Sequence, residues 1–383
     1  MRVLLLGADG YLGWPTAMHL ANEGHEVMAV DNYLRRDLSR DYNVEPLIML
    51  PNLNKRAGIF EKITGKKVDV RIGDCCDYQF LSSLFKEFEP DAIVHYAEQP
   101  SAPFSMIGQK EADLTLRNNL TATHNIIFCM LNFAPGSHMV KIGTMGEYGT
   151  PNIDIEEGWL KVEHKGRKET FLFPRQAGSL YHTTKIMDTD LLWFYARTYG
   201  LRFTDLMQGP VYGLHTKETR LDDSLLPIFN YDDVFGTVLN RFLVQAVKGH
   251  PLTVYGKGGQ TRGYLNIIDT LECVKLSVLN PPENGQLRIF NQLTETFTVN
   301  ELAEKVKKGG KSLGLNVKVQ HLDNPRKEAE EHYYNPTYTG LKELGLKPNY
   351  LTDDVIKEML EQVMKYKDNI DESNIMPRVR WKK

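Results

Sequence analysis

Residues 2–13 read RVLLLGADGYLG, an apolar run that ends in glycines spaced G-x-x-G-x-x-G at Gly7, Gly10 and Gly13. The run has the length of a buried strand, and 11–22 (YLGWPTAMHLAN) continues with helical spacing until Gly24 stops it. Strand, glycine turn and helix in that order suit a pyrophosphate. The glycines allow a tight turn, let backbone N–H groups approach the phosphates at the helix start, and let the helix pack closely on the strand. A second strand, 26–30 (EVMAV), ends at Asp31, where a carboxylate accepts hydrogen bonds from an adenosine ribose and repels a 2′-phosphate. The expected cofactor is therefore NAD rather than NADP. Arg35 and Arg36 nearby could hold the adenine or solvate the chain, and they keep an NADP alternative open. Asp74, just after the third strand, could receive the adenine amino group or cap the next helix.

Outward from this unit, apolar runs at 68–72, 91–95, 138–142 and 201–207 alternate with helical stretches near 77–88, 115–132 and 177–199. Such alternation predicts an α/β fold with a Rossmann-type, doubly wound parallel sheet. Residues 1–207 form the NAD-binding domain in this reading, with an insertion at 32–66 and parts of 235–280 returning to it. The insertion is too long for a simple connection and should hold a helix of its own. Residues 152–176 suggest a hairpin laid over the site. Residues 208–383 read mainly as a smaller, mixed α/β, substrate-binding lobe that includes a terminal helix near 352–367.

With 383 residues, a formal net charge of −3 and 25% charged residues, the chain has no basic excess, so nucleic acid is not an expected partner. Four cysteines match neither a disulfide framework nor a zinc spacing, so they are expected to be reduced thiols, and no metal is expected. No apolar run approaches the roughly 18 residues needed to span a bilayer. With the first strand beginning at Arg2, the protein is expected to stay in the cytoplasm, away from membranes.

Tyr181 and Lys185 lie four residues apart on a predicted helix and so share one face, with Thr144 at the end of the preceding strand. Tyr338 and Lys342 have the same spacing, but lie far from any cofactor strand and are expected to be structural. An ordinary tyrosine is only about 0.1% ionised at neutral pH, so Tyr181 needs nearby positive charge, from Lys185 and the nicotinamide, to accept a proton. It would take the proton of a sugar hydroxyl while hydride passes to the nicotinamide, with Thr144 bonded to the same oxygen.

With these residues in register, the chain resembles the NAD-dependent epimerase/dehydratases of nucleotide sugars, the extended short-chain dehydrogenase/reductases, over nearly its whole length. TMGEYGTPNIDIEEG at 144–158, YHTTK at 181–185, GHPLTVYGKGGQTRGYL at 249–265 and NPRKEAEEHYYN at 324–335 resemble one branch, in which sulfite is joined to UDP-glucose. That resemblance implies oxidation at C4, elimination across C5 and C6, addition of sulfite at C6 and re-reduction at C4. It implies further cofactor contacts from Tyr11 and Leu12 in the glycine turn, Asn32 beside Asp31, and Cys75 beside Asp74. Tyr96, Ala97, Glu98 and Asn119 would add to these. Gln208 and Val211 would border the cofactor, Gln208 reaching the substrate as well. On the substrate side it implies Gln99, Arg241, Thr253, Val254, Tyr255 and Gln260, with Arg262 and Arg326 as diphosphate ligands.

The sequence also departs from the family. Where 4,6-dehydratases carry an acidic pair after the threonine, this chain has Met145 and Gly146, leaving Glu147 or His182 to serve the elimination. Met145 could instead pack against C6 and exclude water. Pro100 stands where plant-type relatives have arginine. A 4-epimerase, a 4,6-dehydratase and a non-catalytic NAD sensor are the alternatives. The resemblance also implies a homodimer packed through the helices at 109–132 and 177–199, whose apolar faces could equally be interior core.

Overall fold

In a computed structural model that describes residues 1–324 and 332–376, the first unit is as expected. Strand β1 (Arg2–Leu6) runs into helix α1 (Gly13–Asn22), and β2 (Glu26–Asp31) follows. The 32–66 insertion holds two helices, α2 (Leu34–Asp41) and α3 (Leu53–Thr64). Then come β3 (Val68–Ile72), α4 (Tyr78–Phe88), β4 (Ala92–His95), a single turn α5 (Ala102–Ser105), α6 (Gln109–Phe133) and β5 (His138–Thr144). An antiparallel hairpin, β6 (Trp159–His164) with β7 (Arg167–Leu172), precedes α7 (Leu180–Tyr199) and β8 (Arg202–Gln208). The α7 start is fixed by Ser179, whose side chain accepts from the His182 N–H, and its end by Gly200 in the left-handed conformation.

The remaining elements are β9 (Val211–Tyr212), α8 (Val238–Lys248), β10 (Leu252–Tyr255), β11 (Thr261–Asn266), α9 (Ile267–Leu279), β12 (Leu287–Gln292), β13 (Glu295–Thr298), α10 (Val299–Ser312), β14 (Val319–Leu322), α11 (Gly340–Glu343) and α12 (Asp353–Lys365). Seven parallel strands form the main sheet in the order β12-β8-β5-β4-β1-β2-β3. Its seventh strand, β12, comes from a stretch that the sequence reading left in the second lobe. Helices on both faces bury the sheet, which is why its strands read as continuous apolar runs. The strand order reverses between β1 and β4, the place where such sheets open a crevice for ligands. The second lobe packs α8, α10 and α12 around Phe242, Leu302 and Leu360, with β10–β14 and β13–β11–β9 as its small sheets.

The hairpin exists, but not over the site. Its Trp159 packs edge-on against Trp193 of α7 at 4.9 Å, and Gly158 lies so close to Ile289 of β12 that no side chain would fit there. None of its residues lines the central cavity.

Candidate active site

A cavity of roughly 440 Å³ opens at the crevice between β1 and β4. The glycine turn forms its floor, and each glycine has its own reason. Gly7 has φ +88°, and a Cβ there would lie 2.5 Å from the Tyr96 carbonyl carbon, while a Cβ on Gly13 would lie 2.1 Å from the Gly7 carbonyl oxygen. Both are required by the protein's own packing. A Cβ on Gly10 would meet nothing of the chain closer than 3.6 Å, yet Gly10 lines the cavity, so what needs this glycine is a ligand. The start of α1 carries no side-chain cap, leaving its first N–H groups for an anion. These features fit a dinucleotide pyrophosphate.

Asp31 lines the same wall, its carboxylate accepting from the N–H groups of Asp9 (2.8 Å) and Tyr33 (2.6 Å). Burial, with Asp9 nearby, pushes its pKa up to about 6. Arg36 does not reach the cavity. Its guanidinium holds both oxygens of Asp9, at 2.5 and 2.8 Å, and the carbonyls of Leu50 and Pro51. The fully buried Arg56 lies 3.4 Å from the same carboxylate and donates to the carbonyls of Ser224 and Leu226. The insertion is thereby tied to the glycine turn through Asp9. Arg35 does line the cavity, stacked 3.6 Å over the Phe235 ring and bonded to Asn230 at 3.0 Å.

Tyr11, Leu12, Asn32, Asp74, Cys75, Tyr96, Ala97, Glu98, Gln99, Gln208 and Val211 all border the cavity. The turn at Asp74 is closed on Cys76, whereas the cap of α4 is Asp77. Asn119 stands behind the wall, bonded to the Gln99 backbone and to Thr184, and its neighbour Asn118 takes the lining position. Asn230, Phe235, Gly236 and Thr237 also line the cavity, and no sequence signal had singled them out.

At the far end, Thr144, Tyr181, His182 and Lys185 meet around the same space. The ends of β5 and α7 bring them together, as the spacing predicted. Lys185 is not a free cation, however. Its Nζ is 2.6 Å from Glu98 Oε1 and donates to the Ile142 carbonyl at 2.7 Å. Tyr181 has its pKa pushed above the ordinary tyrosine value, first by burial and then by Glu98 and Glu147.

The stretch after Thr144 separates its candidates. Met145 lies in the buried core and does not line the cavity. Glu147 is fully buried, reaching back to the Thr144 N–H at 3.2 Å and lying 3.7 Å from Lys141 and 3.5 Å from Arg175. It braces Thr144 from behind. Gly146 leaves the room that the His182 ring occupies, since a Cβ there would lie 2.3 Å from Nε2. Ser179 Oγ is 3.0 Å from the other ring nitrogen and fixes the imidazole's orientation.

In the second lobe, Arg241 donates to the Thr253 carbonyl (3.2 Å) and lies 4.3 Å over the Tyr255 ring, with Val254 buried between and Gln260 on the Tyr255 carbonyl. Arg262 contacts His332 at 3.1 Å. None of Arg241, Thr253, Val254, Tyr255, Gln260 and Arg262 lines the central cavity, and Arg326 lies outside the described residues. Among the described residues no cluster suits a metal ion, and no helix is long and apolar enough to cross a membrane.

Compared with known proteins, residues 3–291 match the model of the NAD dependent epimerase/dehydratase family. The chain is 50% identical to the chloroplastic UDP-sulfoquinovose synthase of Spinacia oleracea, over all of this chain and 79% of that one. It is 44% identical to the UDP-sulfoquinovose synthase of Sulfolobus acidocaldarius, over all of this chain and 98% of that one. Among solved structures, a UDP-glucose 4-epimerase from Bifidobacterium longum in complex with NAD+ and UDP shares the fold at TM-score 0.72 and 19% identity. That match covers 97% of this chain and 100% of the other.

Proposed function

The chain belongs to the NAD dependent epimerase/dehydratase family and, within it, to the UDP-sulfoquinovose synthases, and we infer that it converts UDP-glucose to UDP-sulfoquinovose with NAD as cofactor and sulfite as the sulfur source. The observation that carries the mechanism is the placement of Thr144, Tyr181, His182 and Lys185 around one cavity with the glycine turn, together with the glycine that makes room for His182.

NAD, when bound along Gly7–Gly13 and Asp31, supplies the redox chemistry by accepting the C4 hydrogen as hydride and returning it later. Tyr181 takes the C4 hydroxyl proton, and Thr144 hydrogen-bonds the same oxygen. The resulting 4-ketone acidifies the C5 proton. His182 is the group that removes it, because it borders the cavity with a fixed ring while Glu147 is walled in. The C6 hydroxyl leaves as water on taking that proton from His182, sulfite forms the C6–S bond to the enone, the proton carried in as bisulfite goes to C5, and Tyr181 returns its proton to the C4 oxygen on re-reduction. Arg262 and Arg326 are assigned to the diphosphate, supported by their motifs and by the guanidinium's fit to phosphate oxygens, and Arg241 to the substrate side with Thr253 and Tyr255.

The decisive assay is incubation with UDP-glucose and sulfite followed by mass spectrometry of the nucleotide sugar. A sulfonated product is expected, and UDP-galactose or a 6-deoxy-4-ketosugar in its place would overturn the reading. We also propose a cytoplasmic homodimer. Four free thiols support the compartment, and Met187, Phe194 and Tyr199, exposed along α7 beside α6, support the pairing face.

A further inference from the structure

Glu98 is a buried carboxylate with a demanding set of neighbours. Its Oε1 lies 2.6 Å from Lys185 Nζ and 3.3 Å from His95 Nε2, and the carboxylate is 2% exposed. The same His95 nitrogen lies 3.2 Å from Thr123 Oγ1. Asp188 of α7 is fully buried and interacts with the Glu98 carboxylate. Two adjacent carboxyls in a dry site cannot both ionise cheaply, and their surroundings divide the roles. Burial pushes Glu98 up, but Lys185, His95 and Lys141 outweigh it and hold the carboxyl at about 2. Burial and then Glu98 itself push the Asp188 carboxyl well above its ordinary value. The fixed negative charge beside the catalytic lysine belongs to Glu98.

We propose that Glu98 is a positioning residue for proton transfer: its ion pair withholds the Lys185 ammonium from Tyr181, so that the phenol would give up its proton only when bound, oxidised nicotinamide supplies the positive charge. This rests on Tyr181 as the proton acceptor. The groups around the phenol agree with it. His182 packs on the ring with centroids 5.1 Å apart, Glu98 faces it from the loop after β4, Glu147 from the turn after β5, and Asp188 and Lys185 from α7. Lys141 of β5 is the other cation, but it lies 3.1 Å from Asp205 of β8 and 3.7 Å from Glu147, which Arg175 also approaches. Among the fixed charges, Glu98 has the largest influence on Tyr181 and it opposes ionisation. In a reaction whose cofactor is reduced and reoxidised within one turnover, such a gate keeps the tyrosine from pulling on the C4 hydroxyl when no hydride acceptor is ready.

The test reads ionisation rather than turnover. The protein is labelled with 13Cζ-tyrosine, kept with its NAD, and titrated by NMR, the Tyr181 signal being the one missing in Tyr181→Phe. Glu98→Gln should lower the Tyr181 midpoint by one pH unit or more, a tenfold change, and Glu98→Asp by less. In a Lys185→Met background the Glu98→Gln shift should be smaller, because only the direct repulsion between Glu98 and the phenolate is then left. An unmoved midpoint in Glu98→Gln, or the same shift with and without Lys185, overturns the proposal. If Glu98→Gln loses its circular-dichroism signature, Glu98→Asp decides by the same two criteria. Failure of the underlying reading looks different, since Tyr181→Phe would then still form sulfonated product.

Discussion

Two tyrosine–lysine pairs in this chain have the same spacing and opposite surroundings. Tyr181 and Lys185 are enclosed at the end of the cavity, the lysine shared between Glu98 and a backbone carbonyl. Tyr338 and Lys342 sit at the edge of the fold, the exposed lysine 4.4 Å over the tyrosine's own ring. Spacing puts two side chains on one face only where both lie on a helix, and Tyr338 precedes α11. What separates the pairs is the set of groups brought to the first from β4 and β5, whereas Tyr338 packs on the core beside its lysine.

The sharpest way to break this contrast is to remove one hydroxyl at a time. Tyr181→Phe should lower formation of sulfonated product by about 10²–10⁴-fold, the range of a positioned acid–base group, while NAD stays bound. Tyr338→Phe should leave the rate within about twofold, as expected of a surface substitution away from any site. Equal losses in the two variants, measured by mass spectrometry of initial rates, would mean that place does not separate the pairs.

The next largest effect comes from the cradle that makes the first site a site. Arg56→Met leaves Asp9 with one guanidinium and strips two carbonyls of their donor, at a cost of about 3 kcal/mol. Urea unfolding should show that loss, and bound NAD should be released sooner on dilution, because Asp9 also donates its N–H to Asp31. A variant that keeps both stability and NAD would show that the insertion is not braced through Asp9.

Asp31 gives the comparison a pH axis. Its pKa rises from the usual 3.8 to about 6 in the folded chain, burial being the main cause. Between those values the folded state holds a proton that the unfolded state has lost, so Asp31 makes NAD-free protein less stable as pH rises through that window. The penalty is complete above about pH 6 and amounts to at most about 3 kcal/mol. Asp31→Asn should remove it, raising the melting temperature of NAD-free protein at pH 8 while weakening NAD binding. A parallel stability–pH curve for parent and variant would sink this assignment.

Much of this was legible because its cause is local. Buried parallel strands read as apolar runs, and six of the seven in the main sheet were readable from that pattern. Helix α6 begins at Gln109, as the 109–132 stretch implied, although the apolar pattern itself starts only near 115 because QKEAD carries no periodicity to mark a first turn. The seventh strand, LRIFNQ, was not assigned to the sheet, because only the tertiary register with β8 recruits it. The site divides in the same way. Thr144, Tyr181 and Lys185 were legible from their order along the chain. The Asp9–Arg56 tie and the Glu98–Lys185 pair were not, since no periodicity links residues so far apart. The position of His182 beside Gly146 was half visible: the glycine was noticed as a missing acid, but its meaning as room for a ring needed the fold.

That room can be filled by one carbon. Gly146→Ala puts a Cβ within 2.3–2.8 Å of the His182 ring, so the ring must rotate away from Ser179 or α7 must shift. Misplacing one proton-transfer group costs less than deleting Tyr181, and the rate should fall about tenfold with NAD binding kept, about 1.4 kcal/mol of barrier.

The smallest effect belongs to the second pair. Lys342→Met removes a cation–π contact at an exposed site, worth about 0.5–1 kcal/mol, and leaves the long apolar stem to cover the Tyr338 ring. Unfolding should move by no more than that, and turnover not at all. Lys185→Met, with the same spacing to its tyrosine, removes the partner of a buried carboxylate and should cost about 3 kcal/mol or more. If the two lysines cost the same, the ion pair at Glu98 is not the buried, dry contact that separates one pair from the other.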